Sequence, residues 1–321
     1  MLNLIRRPIT EELQAYKQLF DTTLTHEDIF MGQALAYIRN RSGKMMRPIL
    51  TLLVAKELGE VKPAALHCAI SLELLHTASL VHDDIVDEAA ERRGQASVNK
   101  VYDNKIAVLL GDYLLSLSLM QAARSGSLDA VTAIANLGGT LSEGEIFQLN
   151  NIQSETITEE AYFHIIERKT AALFTACGQL GAISANSTPE YTALATRVST
   201  IIGMCFQIRD DIFDYFTDNI GKPTGNDLRE GKFTLPAIYA INHHPDAHIL
   251  ELVKRVKNFE ASAQDIQEII DFAKAHGGIE YAQAKMQELR DEALNLLRQF
   301  RNQEVKDALV NYVNYVVDRN L

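Results

Sequence analysis

An all-α fold is what the sequence predicts, and three observations carry that reading. Apolar residues recur at three- and four-residue spacing along most segments, as on one buried face of a helix with about 3.6 residues per turn. No segment alternates apolar and polar residues with the period of two that a half-buried strand shows. Only 7 prolines and 17 glycines interrupt 321 residues, too few for the many turns of an all-β chain. Hydrophobic residues at 47% and charged residues at 23% give an ordinary globular balance and exclude disorder. No repeat of solenoid length is visible, and the length admits one large domain or two smaller ones.

Taken in order, Thr10 is placed to cap a first helix running to about Leu24. Thr25, with Asp28 three residues on, has the form of a capping box for a second helix that carries Ile29, Leu35 and Ile38 and ends near Asn40. Ser42 and Gly43 then break the chain and present Lys44 and Arg47 at the start of a third helix, which reaches about Leu58. Pro63 opens a long helix that runs to Asp83. After Gly94 a helix resumes near Asn99 and passes Gly111 and Asp112 to about Arg124, and another spans Ser127 to Leu149. Thr158 caps a helix bearing ERKTAALF, and Thr188 followed by Pro189 starts one of roughly thirty residues. A polar, glycine-rich stretch follows up to Pro236. Regular helices fill the remainder: about Thr234 to His243, Ala247 to Lys257, Ser262 to Lys274 and, after Gly277 and Gly278, two more.

Two of these helices end in the same unusual pattern, with Asp83, Asp84 and Asp87 on the first and Asp210, Asp211 and Asp214 on the second. Like charges at helical spacing repel by a few tenths of a kcal/mol per pair, so a purely structural helix gains nothing from them. One such cluster alone serves as well as a solvated acidic helix end; the second decides for cations bridging carboxylates around a shared cavity. Mg²⁺ suits the site, because it takes oxygen ligands and is usually held by one or two carboxylates plus substrate phosphates. The expected ligand is therefore a diphosphate, with Lys44, Arg47, Arg92, Arg93, Lys169, Lys222 and Lys232 as its available counter-charges. Metal ions that neutralise a departing diphosphate lower the barrier to breaking its C–O bond.

Each of these residues has a plainer alternative. Lys44 and Arg47 lie where a helix N-terminus attracts anions, but a linker with solvated cations has the same composition. His76 projects from a face close to that of Asp83 and either donates to phosphate or is a hydrogen-bonded core residue; His82 is taken as structural. Lys169, mid-helix among apolar neighbours, needs an anion, either a ligand across the cavity or a carboxylate of the chain. Glu143, Glu145 and Gln148 could form a polar edge of the cavity, but a satisfied polar helix face is the preferred reading. The stretch carrying Lys222, Asp227, Arg229 and Lys232 suits a lid over phosphates, with a linker as the alternative.

The formal net charge of −11 and the lack of a basic stripe exclude a general nucleic-acid binder. Cys68, Cys177 and Cys205 are odd in number, widely spaced and in apolar surroundings, and read as buried thiols in a reducing compartment without zinc or redox chemistry. The N-terminal MLNLIRRPITEEL lacks the apolar core of a secretory signal, and no run of about eighteen consecutive apolar residues occurs. The expectation is a cytoplasmic protein with no transmembrane segment, any membrane contact being transient and tied to product release.

The segments GKMMRP, ELLHTASLVHDDIVD, RRG, GDYLL, ERKTA, FQIRDDIFD and GKPTGNDLREGKFTLP stand in the order they take in the trans-isoprenyl diphosphate synthases, or polyprenyl synthetases. The chain resembles that family over almost its whole length, in particular its medium- and long-chain all-trans members such as octaprenyl diphosphate synthases. The resemblance implies a single polyprenyl synthetase domain over residues 1–321, an isoprenoid-synthase bundle of long helices around a central cavity, and a homodimer. It implies head-to-tail prenyl transfer: an allylic diphosphate ionises, the double bond of isopentenyl diphosphate attacks the cation, and a proton is lost, with the released diphosphate as base. Carried over by motif position, Asp83, Asp87 and Asp210 are the direct ligands of several Mg²⁺ ions, with Asp84, Asp211 and Asp214 in support. Lys44, Arg47, His76 and Arg93 correspond to the isopentenyl diphosphate site. Arg92, Lys169, Thr170, Gln207, Lys222 and Lys232 correspond to the allylic diphosphate site. The catalytic set is then the six aspartates with Lys169 and Lys232.

In this family the residue five before the first aspartate helps to floor the product channel, and short-chain enzymes place an aromatic there or beside it. Here those positions hold Ala78 and Ser79, with Leu75, Leu74 and Ser71 next below. At about 1.5 Å of rise per residue the channel deepens by roughly 5–10 Å, which points to a product of about thirty to forty-five carbons of the quinone side-chain type. Alternatives within the fold are a geranylgeranyl or farnesyl diphosphate synthase and the catalytic subunit of a heterodimeric synthase. A cyclising terpene synthase is disfavoured by the second DDxxD and by Lys44 and Arg47. A non-catalytic helical subunit is disfavoured because every expected charged position is filled.

Overall fold

The computed structural model describes residues 1–40, 43–92, 94–152, 154, 156–216 and 224–319. Among them the all-α expectation holds, with a two-residue antiparallel ladder as the strand content. The chain begins with α1 (Leu2–Arg6) and a 3-10 turn (Arg7–Ile9), so α2 (Thr10–Thr23) is preceded by helix where Thr10 was expected to cap it; the Thr10 hydroxyl bonds the Arg7 carbonyl at 3.0 Å instead. α3 (Ile29–Arg39) is capped by Asp28, whose carboxylate accepts the Met31 N–H at 2.9 Å. Thr25 bonds back to the Thr22 carbonyl, so the expected capping box does not form.

α4 (Met46–Leu58) follows Met45, which is in the left-handed conformation at φ 57°. α5 (Pro63–Val86) starts on its proline, and the ladder of β1 (Glu91–Arg92) and β2 (Gln95–Ala96) comes next. One helix was expected after Gly94, but two form, α6 (Val98–Tyr102) and α7 (Asn104–Arg124). Asp103, at φ 71°, separates them, and its carboxylate caps α7 through the Ile106 N–H at 3.0 Å.

The Ser127 hydroxyl takes the Ala130 N–H at the start of α8 (Leu128–Ile152), which runs past the predicted Leu149. Thr158 caps α9 (Glu159–Ile166), and a π-helical turn, Glu167–Ala171, leads into α10 (Ala172–Ser184). α11 (Pro189–Phe213) starts at the predicted proline. α12 (Asn226–Arg229), α13 (Leu235–His243), α14 (Ala247–Lys257), α15 (Ala263–Ala275, with a Ser262–Asp265 capping box), α16 (Gly278–Leu297) and α17 (Gln303–Asp318) complete the chain.

These elements form two compact units. One comprises Met1–Gly138, Leu173–Ser199 and Phe300–Asn311. Its centre is α5, which packs against α7, α4 and α2. α5 is apolar nearly all round, the pattern of a helix enclosed by others, and Cys68, Ile70, Leu72, Leu74, Leu75 and Ala78 are all at most 3% exposed. Ser71 and Ser118 exchange hydroxyl-to-carbonyl bonds of 2.8 and 2.7 Å, so α5 and α7 approach closely at that level. Glu57, at the end of α4, accepts the N–H groups of Arg301 and Asn302 at 2.6 and 3.1 Å and so serves the start of α17 from outside its own helix. Burial pushes the Glu57 carboxyl above its ordinary value, against the pull of those two N–H donors.

By length and composition both α5 and α7 are apolar enough to cross a membrane, although no consecutive apolar run announced it. α5 is largely enclosed by its own unit, whereas α7 turns an apolar face outward: Val108, Leu109, Leu115, Leu119 and Met120 are 37–63% exposed.

The other unit comprises Gly139–Ala172, Thr200–Gln299 and Tyr312–Leu321. In it α13 packs on α16, α15 and α9, and Tyr239 stacks on Tyr281 at 4.1 Å. Gly278, predicted as a helix stop, is a packing position: a Cβ there would lie 2.2 Å from the Pro236 carbonyl oxygen. All three cysteines are free and buried, Cys68 and Cys177 in the first unit and Cys205 in the second. Burial pushes the Cys68 thiol up to about 11 and the other two up to about 12.

Candidate active site

The first acidic cluster forms where α5 ends. Asp83 and Asp84 lie in its last turn, and Asp87 closes it with its N–H on the Asp83 carbonyl at 2.8 Å. The carboxylates are not equivalent. Asp84 is 1% exposed and takes the Arg92 Nε at 2.6 Å, whereas Asp83 is half-buried and Asp87 exposed. A charge buried as deeply as Asp84 is tolerable only beside a partner, and the β1–β2 turn supplies it. Arg92, expected on a diphosphate, is thus engaged with the aspartate cluster itself.

A cavity of about 60 Å³ beside this pair is lined by Glu73, His76, Thr77, Asp84 and Arg92 among others. His76 is 7% exposed, a buried ring that lines this cavity together with apolar residues such as Leu80 and Val81. Lys44 is exposed, with its carbonyl accepting from Arg6 at 3.0 Å. Arg47 sits in the first turn of α4 with its guanidinium 5.2 Å over the Phe174 ring. Neither is among the described lining residues of that cavity. Arg93 lies outside the described residues.

Ala78 and Leu75 are each 3% exposed, and the Ser79 hydroxyl folds back to the His76 carbonyl at 2.9 Å, leaving no bulky group at this level of α5. Ser71 is engaged with Ser118 on α7. Leu75 faces Gly138 of α8 instead, at 3.7 Å from where a Cβ would be.

The second cluster ends α11, and here too the middle carboxylate is buried. Asp211 is 3% exposed and accepts the Tyr162 hydroxyl and the Gln207 side-chain amide, each at 2.6 Å. The Gln207 oxygen in turn accepts the Thr170 hydroxyl at 2.7 Å. Thr170, Gln207, Asp211 and Tyr162 therefore form one hydrogen-bonded chain, which fixes the orientation of the Gln207 amide. Burial pushes Asp211 up to about 7; the Tyr162 and Gln207 bonds oppose this, and the charges of Asp210 and Asp214 add to it.

Asp214 accepts the N–H groups of Asn226 and Asp227 at 3.0 and 3.1 Å, which ties α12 to the cluster, and burial raises its carboxyl as well. Asp210 is paired with Arg319, whose guanidinium also donates to the Phe206 carbonyl at 3.1 Å and stacks 4.0 Å over the Phe206 ring. Arg209 holds the Arg319 carbonyl with two bonds of 3.1 and 2.8 Å.

A cavity of about 220 Å³ in the same unit gathers Lys169, Thr170, Gln207, Asp211, Asp227 and Lys232. Lys169 and Thr170 reach it from the π-helical turn, where an extra residue per turn re-aims side chains. The anion that Lys169 required is Glu145 of α8, 2.5 Å away, so Glu145 is an ion-pair partner rather than a member of a passive polar face. Gln148 does line the cavity. Gly144 permits the approach of α8: a Cβ there would stand 2.9 Å from the Arg168 Cβ and 3.2 Å from the Lys169 nitrogen. Lys232 pairs with Glu230 at 2.5 Å. Asp227 is half-buried, and desolvation and the charges of Asp211 and Asp214 push its carboxyl well above its ordinary value. Lys222 lies outside the described residues.

Tyr162 and Arg319 thus join these groups without having been singled out, brought in by tertiary pairing. Asp227 carried a signal in its place in the polar stretch after the second cluster, and Glu145 in the polar face of its helix, where its pairing with Lys169 was not foreseen. Among the described residues, no three His, Cys, Asp or Glu side chains converge as a ready-made metal cage. Magnesium needs no such cage when substrate phosphates complete its shell. The donor chemistry fits it: all-oxygen carboxylates, one of them, Asp210, already drawing a cation in Arg319, and three more with carboxyls raised by burial and mutual charge.

Comparison with known proteins agrees with this picture. The family model described as polyprenyl synthetase matches residues 29–272. The octaprenyl diphosphate synthase of Haemophilus influenzae is 32% identical over 318 residues, 98% of this chain and 96% of that protein. A crystal structure of geranylgeranyl pyrophosphate synthase from Bacteroides thetaiotaomicron is 44% identical with a TM-score of 0.88, covering 99% of both chains. A decaprenyl diphosphate synthase from Rhodobacter capsulatus superimposes with a TM-score of 0.93 at 31% identity, again over 99% of both. With a family match spanning most of the chain and full-length relatives of this kind, the protein belongs to the polyprenyl synthetase family and is a trans-prenyltransferase.

Proposed function

We propose that the chain is a Mg²⁺-dependent synthase that condenses isopentenyl diphosphate head-to-tail with an allylic diphosphate, releasing diphosphate and an all-trans polyprenyl diphosphate. The observation that carries this is the 220 Å³ cavity in which two lysines, a threonine hydroxyl and a glutamine amide meet beside an aspartate cluster. Lys169, Thr170, Gln207 and Lys232, with Lys222 and Arg92, hold the allylic diphosphate. Lys44, Arg47, His76 and Arg93 hold that of isopentenyl diphosphate. Bound Mg²⁺, on Asp83, Asp87 and Asp210 with Asp84, Asp211 and Asp214 in support, neutralises the leaving diphosphate. The lysines keep charge on the oxygens from which the allylic carbon departs, and the apolar flank of α5 below Ala78 receives the growing chain away from water.

The small residues at Ala78 and Ser79 support a product of about thirty to forty-five carbons, since neither position carries a ring and each further turn of helix adds about 5 Å. The 44% identity to a structure named as a geranylgeranyl pyrophosphate synthase favours a second reading, a twenty-carbon product. Chromatography of the products made from isopentenyl diphosphate and farnesyl diphosphate separates them: arrest at about twenty carbons sinks the longer assignment, at roughly four five-carbon units against six or more by the same channel-depth argument. Ala78→Phe shortens the product if Ala78 lies on the channel wall, and an unchanged profile removes it from the wall.

The outward apolar face of α7 supports a homodimer through that helix, in a cytoplasmic protein that meets membrane only to release product. Activity of the purified chain alone distinguishes this from the catalytic half of a heterodimer.

A further inference from the structure

We infer that Glu145 is the displaceable counter-ion of Lys169: its carboxylate holds the ammonium at the cavity edge, the incoming allylic diphosphate must take the lysine from it, and Glu145 thereby sets the affinity for that diphosphate. The inference rests on the assignment of Lys169 to the allylic diphosphate made above.

Four observations support it. The ion pair is short, 2.5 Å, and shielded, with side chains 26% and 18% exposed, so it is worth more than a surface pair and must be broken or shared when a ligand arrives. Lys169 lines the 220 Å³ cavity while Glu145 is not among its described lining residues, so a ligand in that space meets the lysine and not the carboxylate. The pair is fixed in place because α8 meets the π-helical turn at Gly144 with no room for a Cβ. Beside it, Arg168 and Glu143 make a second pair between the same two segments at 2.6 Å, but in solvent, at 36% and 68% exposed. The two pairs differ in what they face, and only the inner one contains a residue the substrate needs. The Gln148 amide, 3.4 Å from Glu145, remains to donate to the carboxylate once Lys169 has turned to the diphosphate.

A diphosphate carries more charge than one carboxylate and wins the lysine, yet it does so against this competition. Removing the carboxylate charge while keeping its shape should therefore tighten binding. Calorimetric titration with inorganic diphosphate, and with a thiolo analogue of farnesyl diphosphate that does not ionise, both in the presence of Mg²⁺, tests this. Glu145→Gln is expected to lower both dissociation constants by about three- to tenfold, the range for loss of a competing half-shielded ion pair. Glu143→Gln, which removes the same charge from the solvent-facing pair, should leave both constants unchanged.

Unchanged or weaker binding by Glu145→Gln overturns the proposal, and so does equal tightening by Glu143→Gln, which would reduce the effect to net charge. Glu145→Ala, checked for native helicity by circular dichroism, should shift affinity in the same direction as Glu145→Gln and overturns the proposal if it does not. Lys169→Ala separates this inference from the reading beneath it. If that variant binds both probes as tightly as the native chain, the diphosphate assignment of Lys169 fails and the inference with it; if it binds them more weakly while Glu145→Gln does not tighten, only the inference fails.

Discussion

Asp84 and Asp211 occupy the same place in their motifs and the same kind of environment. Each is the middle carboxylate, 1% and 3% exposed, and each is held by a neighbour's donors, Arg92 in one case and Tyr162 with Gln207 in the other. The flanking Asp83, Asp87 and Asp210 are less enclosed. This division of labour predicts two different mutant phenotypes. Asp83→Ala and Asp210→Ala should lower turnover by about two to three orders of magnitude, as the loss of charge stabilisation at a leaving group does, Asp83→Ala with an unchanged urea midpoint. Asp211→Ala should also destabilise the fold by about 1–3 kcal/mol, because it leaves a buried hydroxyl and a buried amide without their acceptor. Paired kinetic and urea-unfolding measurements distinguish the two classes, and an unfolding midpoint unmoved in Asp211→Ala would show that the network is not structural. Both aspartate triplets were legible in the sequence because their spacing is local, three residues within about a turn of helix. Tyr162 and Arg319 were not, nor was the pairing of Glu145 with Lys169, since each reaches its partner through the fold and no short-range period marks the contact.

At the scale of elements, close contact between backbones is what aims the site. α8 touches the π-helical turn at Gly144, and Lys169 and Thr170 leave that turn toward the cavity. Gly144→Ala gains helix propensity of about 1 kcal/mol but sets a methyl 2.9 Å from the Arg168 Cβ, and the overpacking cost of roughly 1–3 kcal/mol should exceed the gain. Lower thermal stability together with a raised KM for the allylic substrate is expected; a stabilised enzyme with native KM would mean that α8 yields without moving the turn.

Glu57 gives a pH test of another such contact. Its folded-state carboxyl is raised above 4.5, so its contribution to stability is present below that value and is lost as pH rises through the folded-state value. The difference in urea midpoint between native chain and Glu57→Gln should accordingly change across the pH window that opens at about 4.5, native stability falling relative to the variant, and parallel curves would contradict it. Helix starts were readable where a cap or a proline supplied the signal, as at Pro63, Thr158 and Pro189, whereas Asp28 took over the capping expected of Thr25. The π-helical turn and the α6–α7 break were not, because the residues there have ordinary helical composition and tertiary packing decides their conformation.

At the scale of the whole molecule, the exposed apolar face of α7 is the feature that calls for a partner surface. Leu109 at 63% exposed and Leu115 at 37% lie on that face, and replacing both by Glu should convert a dimer to a monomer in size-exclusion chromatography with light scattering. A native chain already monomeric at micromolar concentration would refute the dimer. The fold class and the family were legible because helical periodicity and seven ordered motifs extend along the chain. Product length was not, because it depends on how side chains from several helices surround a bound chain, which the spacing along one helix does not give; the Ser71–Ser118 pair between α5 and α7 is one such tertiary contact.

The three buried thiols have a practical consequence of their own. Each is too enclosed and too weakly acidic to react with a thiol reagent while the fold is closed, so any labelling records an opening event. Cys68 and Cys177 belong to one compact unit and Cys205 to the other, so the order in which the three cysteines are modified in dilute denaturant would time the opening of each unit separately, with no probe added to the protein.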